Sequence, residues 1–196
     1  MTLTLHEPYR LATAEDAAQL ADLVFFAGEG LPLVVWQGLA GPGEDPWEVG
    51  RRRQAAKAAA GEIIVADHDG HAVAGLTGYV IGPDPEPIPD DMPALFRPLQ
   101  EFENLAPDSW YVNVLATYPG HRGRGLGSGL LGVAEDWARA EGLGLMSLIV
   151  ADSNTGARRL YDRHGYGEVA RRPCEKDGWE SEVAEWILIT KPLGTG

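Results

Sequence analysis

Between Arg122 and Gly129 four glycines (123, 125, 127 and 129) alternate with Arg122, Arg124, Leu126 and Ser128. The segment before this run, Trp110–Ala116, alternates like a strand. The segment after it places Leu130, Leu131, Ala134, Trp137 and Ala138 at helical spacing. The run therefore reads as a strand-to-helix turn. Glycine lets the backbone bend until successive N–H groups converge, and the helix start adds about half a positive charge. With two arginines as counter-charges, such a turn is an anion site.

Charge distribution agrees. The 196 residues carry 16 Lys plus Arg against 29 Asp plus Glu, for a formal net charge of −13. Residues 120–172 hold eight Arg and six acids, so they are +2 while the remainder is −15. An acidic chain with one locally basic, glycine-rich stretch suits a small anionic ligand. It does not suit a polyanion, so nucleic acid is excluded as the main partner. A single cysteine, Cys174, rules out an internal disulfide framework and a thiolate-rich metal site, and no metal is expected. No apolar run approaches ~18 residues, and Met1–Pro8 has neither a charged n-region nor an apolar h-region. A soluble, cytoplasmic protein that binds no membrane is expected.

The remaining elements follow in order. A short strand at Tyr9–Leu11 leads into a capping-box-like Thr13–Asp16 and a helix ended by Gly28-Glu29-Gly30. Residues 28–46, with five Gly and three Pro, read as a loop around Trp36. Asp45-Pro46 opens a helix that stops at Gly61. Strands at 62–66 and 71–81 are joined through Asp69-Gly70, a hairpin dipeptide. Residues 82–108 hold seven of the fourteen prolines and seven acids, and read as an insertion with one or two helical turns in 93–104. Leu145–Val150 suits a buried parallel strand, Asn154–His164 a helix ended by Gly165, and 166–171 and 182–190 two late strands. The expected architecture is one α/β domain over 1–196.

Two frames fit the glycine turn. Gly127-Ser-Gly129-Leu-Leu-Gly132, with Asp152 twenty residues on, imitates a dinucleotide fingerprint. Its first glycine, however, lies about ten residues beyond the strand rather than directly after it. Its last two glycines also fall inside a continuous helix face, and too little chain follows Asp152 for a doubly wound sheet. The other frame is Arg122-Gly-Arg-Gly125-Leu-Gly127, an R-x-x-G-x-G string that opens a helix. Further on stands Asn154-Thr-Gly-Ala157-Arg-Arg-Leu160-Tyr161-Asp-Arg-His-Gly165-Tyr166. In these two motifs, in this order and spacing, the chain closely resembles the GNAT superfamily of N-acetyltransferases over about Trp110–Tyr166.

The resemblance implies a mixed central sheet of about six or seven strands flanked by helices, with the strands around 110–116 and 145–150 parallel and splayed. It implies acetyl-CoA as co-substrate, with the pyrophosphate held by the turn formed by Arg122, Gly123, Arg124, Gly125, Leu126, Gly127 and Ser128. Val114 and Leu115 would pair with the pantetheine arm, and one N–H there would polarise the thioester carbonyl. Asn154 would hold the cofactor, or cap its helix, or both. Tyr161 matches the family's general acid for the leaving thiolate.

The amine must lose a proton before attack, and the family fixes no single base. Glu101 and Glu103 precede the central strand and Asn113 lies on it; Glu103 and Asn113 join Tyr161 as catalytic candidates. The acid-rich 82–108 segment points to a cationic acceptor such as a polyamine, an aminoglycoside or a protein lysine. The acceptor is thus a small-molecule or protein amine, and a homodimer stays open as the assembly. The competing class is a CoA-binding regulatory or sensor module with the same fold and no turnover. His68 and His71 flank the hairpin turn and read as surface residues. Trp36 and Trp47 read equally as acceptor-pocket wall or core, and Arg51–Arg53 as a solvated helix face.

Overall fold

The structure is a computed structural model and describes residues 4–194. In chain order the elements are β1 (Tyr9–Leu11), α1 (Ala17–Ala27), α2 (Leu31–Leu39), α3 (Pro46–Ala59), β2 (Ile63–His68) and β3 (His71–Ile81). Then follow α4 (Arg97–Glu103), β4 (Ser109–Thr117), α5 (Leu126–Ala140), β5 (Leu145–Ala151), α6 (Thr155–Arg163), β6 (Gly167–Pro173) and β7 (Glu185–Pro192). The strands form one seven-stranded mixed sheet in the order β1-β2-β3-β4-β5-β7-β6. The chain divides into two compact units, one of residues 4–77 and 114–133, the other of 78–113 and 134–194. The division falls within β3, β4 and α5.

In the unit of residues 4–77 and 114–133, β1 and β2 are antiparallel, and the β2–β3 hairpin turns on Asp69 and Gly70, both at positive φ. Arg10 on β1 holds Asp16 through two hydrogen bonds of 2.8 and 2.9 Å and Asp67 on β2 through a third of 2.7 Å. Asp16 also accepts the Thr13 N–H at 2.8 Å, which completes the expected capping box. The Arg10 guanidinium holds the Asp16 carboxyl below the ordinary carboxylate range.

The loop expected over 28–46 is instead largely helical, because α2 occupies 31–39. Pro32 falls in the first turn, where no N–H is required, and Gly30 takes the left-handed conformation just outside the helix. Burial of Leu31 and Trp36 then stabilises a segment whose glycine and proline content suggests otherwise. Trp36 is 2% exposed and packs against Trp47, whose ring also meets Phe25 at 5.2 Å. Both tryptophans thus serve this helical core, while Arg51 and Arg52 pair at the surface with Glu48 and Glu44.

Gly50 on α3 is where α2 and α3 meet closely. A Cβ there would lie 2.8 Å from the Trp36 ring, inside any normal contact. Gly50→Ala gains about 1 kcal/mol of helix propensity but overpacks this core, which costs about 1–3 kcal/mol. The net expectation is a loss of up to about 2 kcal/mol, read as a lower denaturant midpoint, and a midpoint raised by the full ~1 kcal/mol of helix propensity would contradict the close α2–α3 packing.

In the unit of residues 78–113 and 134–194, β4 and β5 are parallel from Trp110↔Met146 to Val112↔Leu148. That ladder ends three residues before β5 does, whereas β5 stays paired with β7 from Leu145 to Ala151. A buried Ser109–Ser147 hydroxyl contact of 2.7 Å pins the start of β4 to β5. Trp110, 2% exposed, packs on Trp137 of α5. The expected helical turns of the 82–108 segment are α4, with Pro98 in its first turn and Phe102 fully buried.

Candidate active site

The glycine turn lies wholly in the unit of residues 4–77 and 114–133. Tyr118 carries the chain out of β4. Its N–H donates to Val73 on β3 at 2.9 Å, its hydroxyl donates to Asp22 on α1 at 2.6 Å, and its ring meets Phe26 edge-on. Both ends of the residue are therefore tied to regular structure, so the turn leaves from a fixed point. Residues Pro119–His121 make one 3-10 turn. Arg122 follows with its N–H on the Pro119 carbonyl at 3.3 Å and its Nε on the Thr117 carbonyl at 3.1 Å.

Gly123 and Gly125 have φ of +76° and +81°. A Cβ at either position would meet no atom within 4 Å. The left-handed backbone, not crowding, is what requires glycine there. Arg124 is exposed between them. The leading N–H groups of an α-helix have no partner inside the helix, and in α5 those groups begin with Leu126 and Gly127. Gly129, whose N–H returns to Gly125 O at 3.0 Å, has no room for a side chain because the Tyr9 hydroxyl occupies that place. Ahead of the turn on the same strand, Val114 is buried and Leu115 half-buried.

His121 and His68 meet edge to face at 5.1 Å, and burial with the nearby Arg124 charge holds the His121 pKa below the ordinary histidine value. Among the described residues no group of three His, Cys, Asp or Glu is arranged to hold a metal ion.

The remaining candidates fall in the unit of residues 78–113 and 134–194. Asn154 accepts the Ala157 N–H at 3.0 Å and so caps α6. Tyr161 is 6% exposed, with its ring 5.7 Å from that of Tyr166. Burial pushes its phenol pKa well above the ordinary value. It borders an open cleft of about 360 Å³ whose wall includes Val150, Ile187 and Ile189. Asn113 is exposed although β4 is an interior strand of the sheet.

The two glutamates on α4 have different partners. Glu101 receives the Arg172 Nε at 3.3 Å, and the same guanidinium lies over the Phe102 ring. Glu103 instead accepts the Tyr79 hydroxyl at 2.9 Å. Burial raises the Glu103 carboxyl pKa, and the Tyr79 hydrogen bond opposes this. The Tyr79 ring lies 5.2 Å from that of Tyr111, which is buried on β4. Tyr79, Glu103 and Tyr161 all act electrostatically on the Tyr111 hydroxyl, which burial drives well upward. Sequence reasoning passed over Tyr79 and Tyr111 as site residues. The available signal was a Tyr two places before Asn113, hence on the same face of the strand.

The model of the acetyltransferase (GNAT) family matches residues 34–166. That span is more than half of the chain, and it contains both the glycine turn and α6. The chain belongs to the GNAT acetyltransferase family.

Solved structures agree in fold. A protein described as an acetyltransferase shares 23% identity, over 95% of this chain and 99% of its own, at a TM-score of 0.63. The yncA protein of Salmonella typhimurium, solved with its cofactor acetyl-CoA, shares 17% identity over 96% and 94%, at 0.61. A ribosomal-protein-alanine N-acetyltransferase from Brucella melitensis shares 20% over 94% and 99%, at 0.60. No curated protein matches the chain. The seven-stranded mixed sheet and the parallel β4–β5 pair are those expected of a GNAT protein. No helix among the described residues is long and apolar enough to cross a membrane.

The GNAT turn also fits the chemistry of acetyl-CoA. Open space over Gly123 and Gly125, two positive φ values and the start of α5 leave room for phosphate oxygens beside the leading N–H groups of that helix.

Proposed function

We propose that this chain is an N-acetyltransferase that works in the cytoplasm and passes the acetyl group of acetyl-CoA directly to a primary amine in a ternary complex, the whole chain acting as one domain. The observation that carries the reading is the Gly123–Gly127 turn, with its two left-handed glycines at the start of α5. In this role Gly123, Arg124, Gly125, Leu126, Gly127 and Ser128 hold the pyrophosphate through backbone N–H groups, and Arg122 and Arg124 supply positive charge. Backbone groups of Val114 and Leu115 align the pantetheine arm and polarise the thioester carbonyl. Asn154, which caps α6, also holds the cofactor in this reading.

Each proton has a destination. The amine reaches the site as an ammonium ion and gives one proton to Glu103. Its lone pair then forms the N–C bond as the C–S bond breaks. Tyr161 donates its phenolic proton to the departing sulfur, and the second proton lost from nitrogen restores the phenol. The net products are the amide, CoA thiol and one proton released through Glu103. The raised Tyr161 pKa keeps the phenol protonated at any working pH, as an acid must be. Of the two α4 carboxylates, Glu103 suits the base because Glu101 is engaged by Arg172. Asn113, exposed on β4, serves as a polar contact to the acceptor. The acceptor is a small-molecule or protein amine that carries positive charge, which suits the acidic 82–108 segment.

The pH profile tests the base. Glu103 accepts a proton only when ionised, so kcat/KM falls as pH drops through its pKa. Because burial raises that pKa, the acid limb lies above the ~4.3 of an ordinary glutamate. Glu103→Gln is expected to remove that limb and lower kcat/KM by roughly 10–10²-fold. A variant with the wild-type limb and rate would exclude Glu103 as the base.

A further inference from the structure

Tyr79 is oriented against the usual habit of a surface tyrosine. An exposed tyrosine normally keeps its ring on the protein and sends its hydroxyl to water. Here the residue is 41% exposed, yet its hydroxyl is the end turned inward, bonded to Glu103, and burial is the main cause that pushes its ionisation far up. Gly78, the preceding residue, holds β3 so close to β4 that a Cβ would strike the Trp110 ring and the Tyr111 carbonyl. The strand is thus pressed down at the point that aims Tyr79. Its ring is tilted 50° to that of Tyr111 at 5.2 Å, so an aromatic wall stands next to a carboxylate.

We propose that Tyr79 is a positioning and specificity residue for the acceptor: its hydroxyl fixes Oε1 of Glu103, and its ring, with that of Tyr111, holds an alkylammonium ion beside Oε2. Resting on the reading of Glu103 as the base, this assigns the side chains that select the cationic acceptor and orient the base. An ammonium ion within ~6 Å of a ring face is attracted by the π-electrons, and a neighbouring carboxylate both attracts it and takes its proton. A neutral nucleophile such as an alcohol gains from neither. Tyr111 on β4 interacts electrostatically with both Glu103 and Tyr161, and the β6 guanidinium of Arg172 is directed to Glu101.

The test uses the full chain with acetyl-CoA and a series of primary amines, read by thiol release. Tyr79→Phe keeps the ring and removes the hydrogen bond that lowers the Glu103 pKa, so the acid limb of kcat/KM moves to higher pH. Tyr79→Leu removes the ring as well and raises the amine KM by about a further 2- to 5-fold over Tyr79→Phe. In a Glu103→Gln background, Tyr79→Phe has no additional effect on the pH profile. A Tyr79→Phe limb at the wild-type pH, or equal amine KM values for the Phe and Leu variants, would overturn the inference while the role of Glu103 stands. Full activity of Glu103→Gln alone would remove the base itself. Thermal midpoints of the Phe and Leu variants near wild type separate these outcomes from misfolding.

Discussion

Replacing Tyr161 by Phe is expected to lower kcat by about 10²–10³-fold while the KM for acetyl-CoA changes by no more than a few-fold. The substitution removes one hydroxyl and leaves the ring contact with Tyr166 in place, so α6 keeps its packing. In the proposed mechanism what is lost is the proton for the departing sulfur, a group needed only as the C–S bond breaks. An interaction made only in the transition state lowers kcat and kcat/KM together. Burial keeps the Tyr161 phenol neutral, so the wild-type enzyme shows no basic limb from this group below pH ~10. A Phe variant with unchanged kcat would leave Tyr161 as a packing residue of α6.

The second large effect concerns the turn. Gly125→Val is expected to raise the KM for acetyl-CoA by roughly 10²-fold. Two causes act together. At φ of +81° a β-branched residue is strained by about 1–2 kcal/mol and tends to flip the backbone, which turns N–H groups away from the phosphates. Hydrogen bonds to a charged partner contribute about 1.5–3 kcal/mol each, so losing one or two of them is enough for that change. The space over Gly125 is open in the folded chain, so no clash adds to the backbone strain, and the variant is expected to fold with a thermal midpoint lowered by only about 2–8 °C. Titration with acetyl-CoA by calorimetry checks this directly. Wild-type affinity in Gly125→Val would mean that the turn does not hold the pyrophosphate.

Much of this arrangement is legible in the residue order, and the exceptions have physical causes. The hairpin at Asp69-Gly70, the Thr13–Asp16 capping box and the strand-turn-helix around Gly125 are local, set by backbone preferences that a short stretch displays by itself. Helix α2 was not legible, since glycine and proline counts over 28–46 ignore position. Pro32 in a first turn is compatible with a helix, and burial of Trp36 against Gly50 is a tertiary effect. The choice between Glu101 and Glu103 could not be read for a similar reason. The two stand two residues apart on α4, and only the folded chain sends one to Arg172 and the other to Tyr79. Tyr79 was hidden inside a strand pattern, because which way its hydroxyl turns depends on Glu103, 24 residues later.

As proposed, this member of the GNAT family turns over acetyl-CoA on an amine. The most direct measurement mixes the full chain with acetyl-CoA and a panel of polyamines, aminoglycosides and lysine- or N-terminal peptides, and follows free CoA thiol together with acetylated amine. Thiol release in equal amount to acetylated product is expected for at least one cationic primary amine, slowed about 10²–10³-fold in Tyr161→Phe. Saturable acetyl-CoA binding with no thiol release for any acceptor would contradict it, and would make the chain a CoA-binding module rather than an enzyme.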